Sequence, residues 1–332
     1  MKKQLLLAGL FLLYTSVFAK TNQVEPEWFR NHRDVYPSKT YLAQKGSGKS
    51  EKEAKTDALA AISRYVHTSV NANLSTSYIS ISNGNSFTEE QRVVDERNVS
   101  SQVELFGVEY SESYYYKPEK KWYVVAYIYR EDAWTQYKPQ IESAKTIFYG
   151  FYDKAKKEDE SFIKCGLYAN AWEKGKDFLE KLEYGRILFP EEEEKYAADR
   201  SVLSEVPSLI ASEIKKSSII INISGDYSDI FLTTVSNVFS DFGFTVGKNG
   251  KYKADVVVSS NQVGSEPMAI YPGLIITITG NSNKSVFSYN YKTEEKTIAY
   301  TLENAQKKAF PKAAEEIKVS LRESLEKSLT GN

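Results

Sequence analysis

The sequence predicts an α+β protein with two small helix-on-sheet domains, their sheets antiparallel or mixed, joined by a helical hairpin segment. Three patterns carry this. Period-two alternation of apolar and polar residues marks strands at 103–116 and 122–129, and short apolar runs mark further strands at 254–259, 274–279 and 286–291. Apolar residues at helical spacing fill 131–216, where strand signals vanish. In each sheet-forming region a further short strand, near residue 41 and near residue 219, leads through a turn into an amphipathic helix. The layout is therefore 1–19 as a leader, 20–135 as the first α+β domain, 136–216 as the helical region and 217–332 as the second α+β domain.

The leader begins with Lys2 and Lys3, continues through an apolar run and closes on Val17, Phe18 and Ala19. A basic start, an apolar core and a small-residue cleavage site describe a secretory signal peptide. The mature protein is expected in the periplasm or at the outer-membrane periphery. No later run of about 18 apolar residues could cross a bilayer, so no membrane span is expected. Cys165 is the one cysteine. It cannot form an internal disulfide, it is far from the cleavage point where a lipid anchor would need it, and it is expected buried and inert. With 43 basic and 44 acidic residues scattered together, nothing predicts a nucleic-acid partner.

In the first domain, Trp28 and Phe29 form an aromatic anchor, and His32 lies in a polar, solvated stretch. A strand over 40–43 is followed by a glycine turn containing Gly46 and Gly48. Ser50 then caps a helix and Glu53 completes a capping box, with Ala54, Ala58, Ala61, Ile62, Tyr65, Val66 and Val70 as its apolar stripe. Residues 71–100 read as a helix-to-strand transition near Val99. A long hairpin follows, slipping phase at Gly107 and turning at 117–120. In its second strand Trp122, Val124, Ala126 and Ile128 face one way, toward the Ala-rich helix; Tyr123, Val125, Tyr127 and Tyr129 face the other.

Helices are expected at about 131–158, 161–184 and 196–216, the first two as an antiparallel hairpin. The four-Glu run at 191–194 reads as a solvated acidic loop or helix start. The second domain has strands at 219–223, 244–246, 254–259, 274–279 and 286–291. Its helices cover about 230–242, ended by Gly243, and about 300–329, with Pro311 as a kink or restart point.

Catalytic signals are sparse. His67 stands on a helix face, and neither histidine has a second His or Cys at ligand spacing, so no metal or cofactor is expected. Ser161 and Lys164 match a Ser-x-x-Lys pattern that recurs at Ser212 and Lys215 without its companion motifs. Residues 43–50 fit a loose phosphate-loop pattern, but the strand before it is short and no second strand ends in a magnesium-binding Asp. The chain is therefore expected not to be an enzyme. The sharpest candidate site is the tyrosine face of Tyr114, Tyr116, Tyr123, Tyr127 and Tyr129, either a recognition surface or packing against the helices that follow it.

Tyr41, Leu42, Ala43, Gly46, Gly48, Ser50, Glu53, Ala54 and the Ala58–Ala61 run, preceded by Pro26 and Trp28 and followed by the hairpin at 114–132, carry a family likeness. Over residues 26–135 the chain resembles the Lpp-twenty-type lipoproteins of bacterial envelopes, and more loosely the N-terminal domain of the flagellar H-ring and T-ring assembly protein. The resemblance implies a helix-on-sheet envelope domain without enzymatic activity, although the lipid-anchoring cysteine is missing. Residues 218–329 are similar in pattern to small α/β domains of the TolB translocation protein and the curli secretion lipoprotein. The expected function is a structural or assembly component of the cell envelope, with envelope proteins, cell-wall components, or flagellar or outer-membrane assemblies as partners, and with homo-oligomers open. A glycan- or peptide-binding module using the tyrosines, or an exported hydrolase, are the alternatives.

Overall fold

The computed structural model describes residues 24–83, 105–225, 227–264, 267–280 and 283–330; the leader and the transition expected near Val99 lie outside the described residues. The protein is α+β. Its described residues fall into two compact units, one within Met1–Ile62 and Val108–Ile128, the other within Ser63–Gly107 and Tyr129–Asn332.

The first unit begins with two single-turn helices, α1 (Glu27–Arg30) and α2 (His32–Val35). Strand β1 (Tyr41–Gly48) lies beside β4 (Lys121–Tyr129), whose other side pairs antiparallel with β2 (Val108–Tyr110) and β3 (Tyr114–Tyr116). Between β2 and β3 the ladder is patched by Ser111: its N–H donates to Val125 O at 2.9 Å, and its Oγ accepts from Val125 N at 2.9 Å. Gly107 has a φ of 64°, where the sequence pattern slips phase.

The glycine turn expected at 46–48 is instead the end of β1, and neither Gly46 nor Gly48 has a positive φ. The glycines serve a different need, close approach of two backbones. A Cβ on Gly46 would lie 2.1 Å from Ala58 N, and one on Gly48 would lie 2.4 Å from Glu53 Cβ. Helix α3 (Glu51–Asn83) thus sits directly against the strand, its first turn capped by Ser50 Oγ, which accepts from Glu53 N at 3.2 Å.

α3 runs past the expected end near Val70. Its buried residues are Ala54, Ala58, Ile62, Val66, Val70, Leu74, Tyr78 and Ile81, nearly all four apart. Each four-residue step overshoots one helical turn by about 40°, so the buried stripe winds around the helix and its two ends bury different faces. Tyr65, expected in the stripe, is 45% exposed.

The second unit holds the long helices α4 (Arg130–Lys157), α5 (Ser161–Leu188) and α7 (Ala197–Lys216), with the one-turn α6 (Pro190–Glu193) between the last two. These match the expected spans within a few residues. Ile141, Ala144, Phe148, Tyr152 and Ala155 of α4 are buried, as are Phe178, Leu179 and Leu182 of α5. The unit continues as β5 (Ile219–Ser224), α8 (Ser228–Asp241), β6 (Tyr252–Val263), β7 (Met268–Thr279), β8 (Ser285–Lys292), β9 (Thr297–Ala299) and α9 (Leu302–Thr330). The sheet order is β5-β6-β7-β8, with β5 parallel to β6, the other pairs antiparallel, and β9 on β7. The strand expected at 244–246 is a single bridge between Ile219 and Val246, entered through Gly243, which turns the chain at a φ of 86°. Pro311 lies inside α9 without ending it.

One hydrophobic core unites this sheet with α8 and α9, through Phe231, Val235, Phe239, Val256, Ile276, Phe310, Ile317 and Leu321. The start of α5 belongs to that core as well, since Phe162 stacks on Phe244 at 5.5 Å and Cys165 is buried beside it. Burial pushes the Cys165 thiol up to about 12, which suits an inert core residue.

Candidate functional site

The tyrosine face takes shape from β3 and β4. Period two places Tyr114 and Tyr116 on β3 and Tyr123 and Tyr127 on β4 on one face, across which the Tyr114–Tyr123 pair lies in register. Tyr114 is buried; Tyr116, Tyr123, Tyr127 and Tyr129 are half-buried. Four of the five converge. Phe29 of α1 is their hub, its ring centroid 4.7 Å from Tyr114, 5.0 Å from Tyr116 and 5.1 Å from Tyr123. Tyr36 stacks on Tyr127 at 4.5 Å, and Tyr41 meets both edge-on. Lys45 Nζ donates to Phe29 O at 3.1 Å and lies 5.2 Å from the Phe29 ring centroid, a cation–π contact.

Within this unit the rings are therefore covered by the helices that precede the sheet, α1 and α2. Trp28, Tyr114 and Val125 form the buried centre of that cluster. Tyr129 is the residue that caps α4, and its hydroxyl donates to Glu131 at 3.0 Å. The outer rim carries two hydroxyl–carboxylate pairs. Tyr123 donates to Glu119, and Tyr127 donates to Glu109 at 2.8 Å. A carboxylate accepting from the phenol penalises the phenolate, and both hydroxyls are pushed up to about 12. Chemically this face offers ring edges and paired hydroxyls, suited to stacking and hydrogen bonding and not to proton transfer near neutral pH. His32, expected in solvated chain, is half-buried in α2, and burial pushes its imidazole pKa down.

At the phosphate-loop pattern the backbone amides already have partners. Ser47 N donates to Asp57 Oδ2 at 3.0 Å, Lys49 N to Glu53 Oε2 at 2.8 Å, and Ala54 N to Ser50 O at 3.0 Å. Carboxylates occupy the positions where a phosphate would bind, and Lys49 is exposed. The segment is a strand–helix joint sealed by acids.

Ser161 of the Ser-x-x-Lys pattern is buried, and the amine that reaches its Oγ, at 3.1 Å, is that of Lys251. Lys251 also lies 3.5 Å from Glu160, while Tyr252 donates to Glu160 and accepts from Phe162 N at 2.8 Å. These polar groups tie the first turn of α5 to β6. Sequence reasoning could not find this pair, because its members are 90 positions apart.

The four-Glu run is the start of α6 and a 3₁₀ turn, and Glu193 is only 2% exposed. Arg200 binds Glu193 at 2.6 Å and the fully buried Glu183 at 2.5 Å, and Arg186 lies 3.3 Å from Glu193. Ser77 of α3 adds a donor to Glu183 at 3.0 Å. Two glutamates and two arginines neutralise one another and join α5, α6 and α7, so the run is only partly the solvated loop its composition implies. Among the described residues, no group of three or more His, Cys, Asp or Glu side chains is arranged to hold a metal ion.

Neither a family model nor a curated protein matches the chain. Similar solved structures include a secreted protein from Helicobacter pylori, with 12% identity over 86% of this chain and 97% of that chain and a TM-score of 0.36. A minor lipoprotein from Acinetobacter baumannii matches with 9% identity over 32% of this chain and 93% of its own, at a TM-score of 0.24. A protein from Xanthomonas campestris matches with 16% identity over 35% and 85% of the two chains, at a TM-score of 0.25.

Proposed function

We propose that the protein is a non-enzymatic structural or assembly component of the bacterial cell envelope, acting in the periplasm or at the outer-membrane periphery. The observation that supports this best is the fate of the chemical motifs. The phosphate-loop amides are bonded to the chain's own carboxylates, and the candidate nucleophile Ser161 is buried in a joint between a helix and a strand. The leader sequence supports export, and among the described residues no helix is long and apolar enough to cross a membrane. Partners are envelope proteins or cell-wall components, including flagellar or outer-membrane assemblies, met through the tyrosine rim and through sheet edges that can accept a further strand. Cell fractionation tests the location: the full chain is expected with periplasmic or outer-membrane markers, and a chain lacking residues 1–19 with cytosolic ones. Recovery of the full chain in the cytosol would overturn the proposal.

A second reading, a glycan- or peptide-binding module, is favoured by the half-buried rings of Tyr116 and Tyr123 beside Phe29. Tyr116→Ala is the direct test. If cell-wall and peptide retention are unchanged in a folded variant, that module is excluded.

A further inference from the structure

We infer that the outer edge of β8 is a docking site for an extended acidic peptide segment of a partner protein, which adds as a strand in the groove between β8 and α9. This rests on the assembly reading and specifies the partner's chemistry. β8 ends the sheet order, and β9 pairs with β7 further along, so among the described residues no strand covers the outer edge of β8. An edge strand presents a row of backbone donors and acceptors that a second strand can satisfy. Phe287 and Tyr289 are buried against the helical layer, while Ser288 and Asn290 are exposed, so the strand is firmly seated on one face only.

Space for an occupant exists beside that edge. A groove of about 390 Å³ lies between Ser285, Phe287 and Ser288 of β8 and Ser324, Lys327 and Ser328 of α9. A strand added to β8 would turn alternate side chains onto this flank of α9, the geometry of peptide recognition between an edge strand and a helix.

Charge selects the occupant. Lys284 and Lys292 bracket the edge, both exposed, and residues 284–292 contain no acid. Lys327 adds a third cation on the groove, whereas Glu323 and Glu326 are not among the residues lining it. None of these three lysines is ion-paired among the described residues, although nine other lysines in this unit are. A second copy is disfavoured by the same pattern. Antiparallel self-pairing centred on Ser288 would set Lys284 opposite Lys292 of its mate, and like charges directly opposed are destabilising. A strand with acids at both ends answers both lysines in either direction.

The test uses the full mature chain and two fluorescent probe peptides as long as the 284–292 stretch, both of alternating Val and Thr, one ending in Glu at each terminus and the other in Lys. Anisotropy titration at low salt is expected to show saturable binding of the acidic probe, with the basic probe roughly tenfold weaker or worse. The double variant Lys284→Glu, Lys292→Glu, whose positions are exposed and leave the core untouched, should reverse that order. Lys327→Ala should weaken the acidic probe alone. Equal affinity for the two probes, no saturable binding, an unchanged order in the double variant, or a dimer in sedimentation that disappears with Ser288→Pro would each overturn the proposal. Cell fractionation reads export separately, so the peptide site and the envelope reading can fail independently.

Discussion

The two sheets of this molecule solve the same problem differently. Both are layered on helices, and each leaves a second face that must either be wetted or covered. The first sheet is covered: α3 packs on one face through Ala54 and Ala58, and the aromatic lid of Trp28, Phe29 and Tyr36 closes the other. The second sheet leaves its far face open. Val257 and Ile275, partners in register, are 49% and 45% exposed among Asp255, Ser288 and Asn290. A short, strongly aromatic sheet needs its lid, whereas longer strands over a large helical core keep one polar face in water.

If that contrast is right, the first unit should fail sharply when a backbone approach is blocked. Gly46→Ala places a methyl 2.1 Å from Ala58 N, a clash with backbone that no rotamer relieves. The expected loss is about 3 kcal/mol or more, measured by denaturant titration. Gly150, in α4 with open space around its Cβ position, is the control; Gly150→Ala should stabilise by up to about 1 kcal/mol.

The lid comes next. Phe29→Ala removes four ring contacts, three of them with the tyrosine face, and the seat of Lys45. A loss of about 2 kcal/mol is expected, since each aromatic pair is worth about 0.5–1.5 kcal/mol beyond its buried area and the ring is only partly enclosed. An effect under about 0.5 kcal/mol would mean that the lid is not what holds the first sheet closed.

What was legible in the sequence divides along physical lines. The three long helices of the second unit were legible because apolar periodicity persists over many turns, and Ile141, Phe148, Phe178 and Leu182 do face the core. β6, β7 and β8 were legible as short runs rich in Val, Ile and Tyr, although β6 and β7 extend well past their expected bounds. Gly46 and Gly48 misled because glycine permits both turns and close packing, and only the helix laid against them decides which. The tyrosines were found as a face, but their cover could not be: Phe29 and Tyr36 lie some 80 positions or more from most of the rings they touch, and single aromatics have no period. The Ser161–Lys251 and Glu183–Arg200 pairs were hidden for the same reason, since side-chain pairing across elements has no signature in spacing.

Alkaline titration sharpens the comparison at the rim. Tyr123 and Tyr127 are pushed up from 10 to about 12 by their glutamate partners, so the folded state resists losing these protons. A raised pKa contributes stability that is complete below pH 10 and lost as pH rises toward 12. Tyr291 in the second unit is also raised to about 12, by burial first and then by its bond to Glu316. The first unit's share is isolated by Tyr127→Phe, which should flatten the fall in stability between pH 10 and 12 compared with the unaltered chain. An unchanged pH profile would remove the Tyr127–Glu109 bond from the account.

The smallest effect is expected on the open face, and it bears most directly on whether that face is bare. Val257→Thr and Ile275→Thr replace half-exposed aliphatics by β-branched polar residues that keep strand geometry. If water is what normally meets them, stability should move by no more than about 0.5 kcal/mol, and the aggregation threshold should rise because a small apolar patch is gone. A loss several times larger in the isolated protein would mean that these side chains are packed in solution. The far face would then be covered like the first sheet's, and the contrast between the two sheets would be one of what covers them, aromatic helices in one case and something not yet placed in the other.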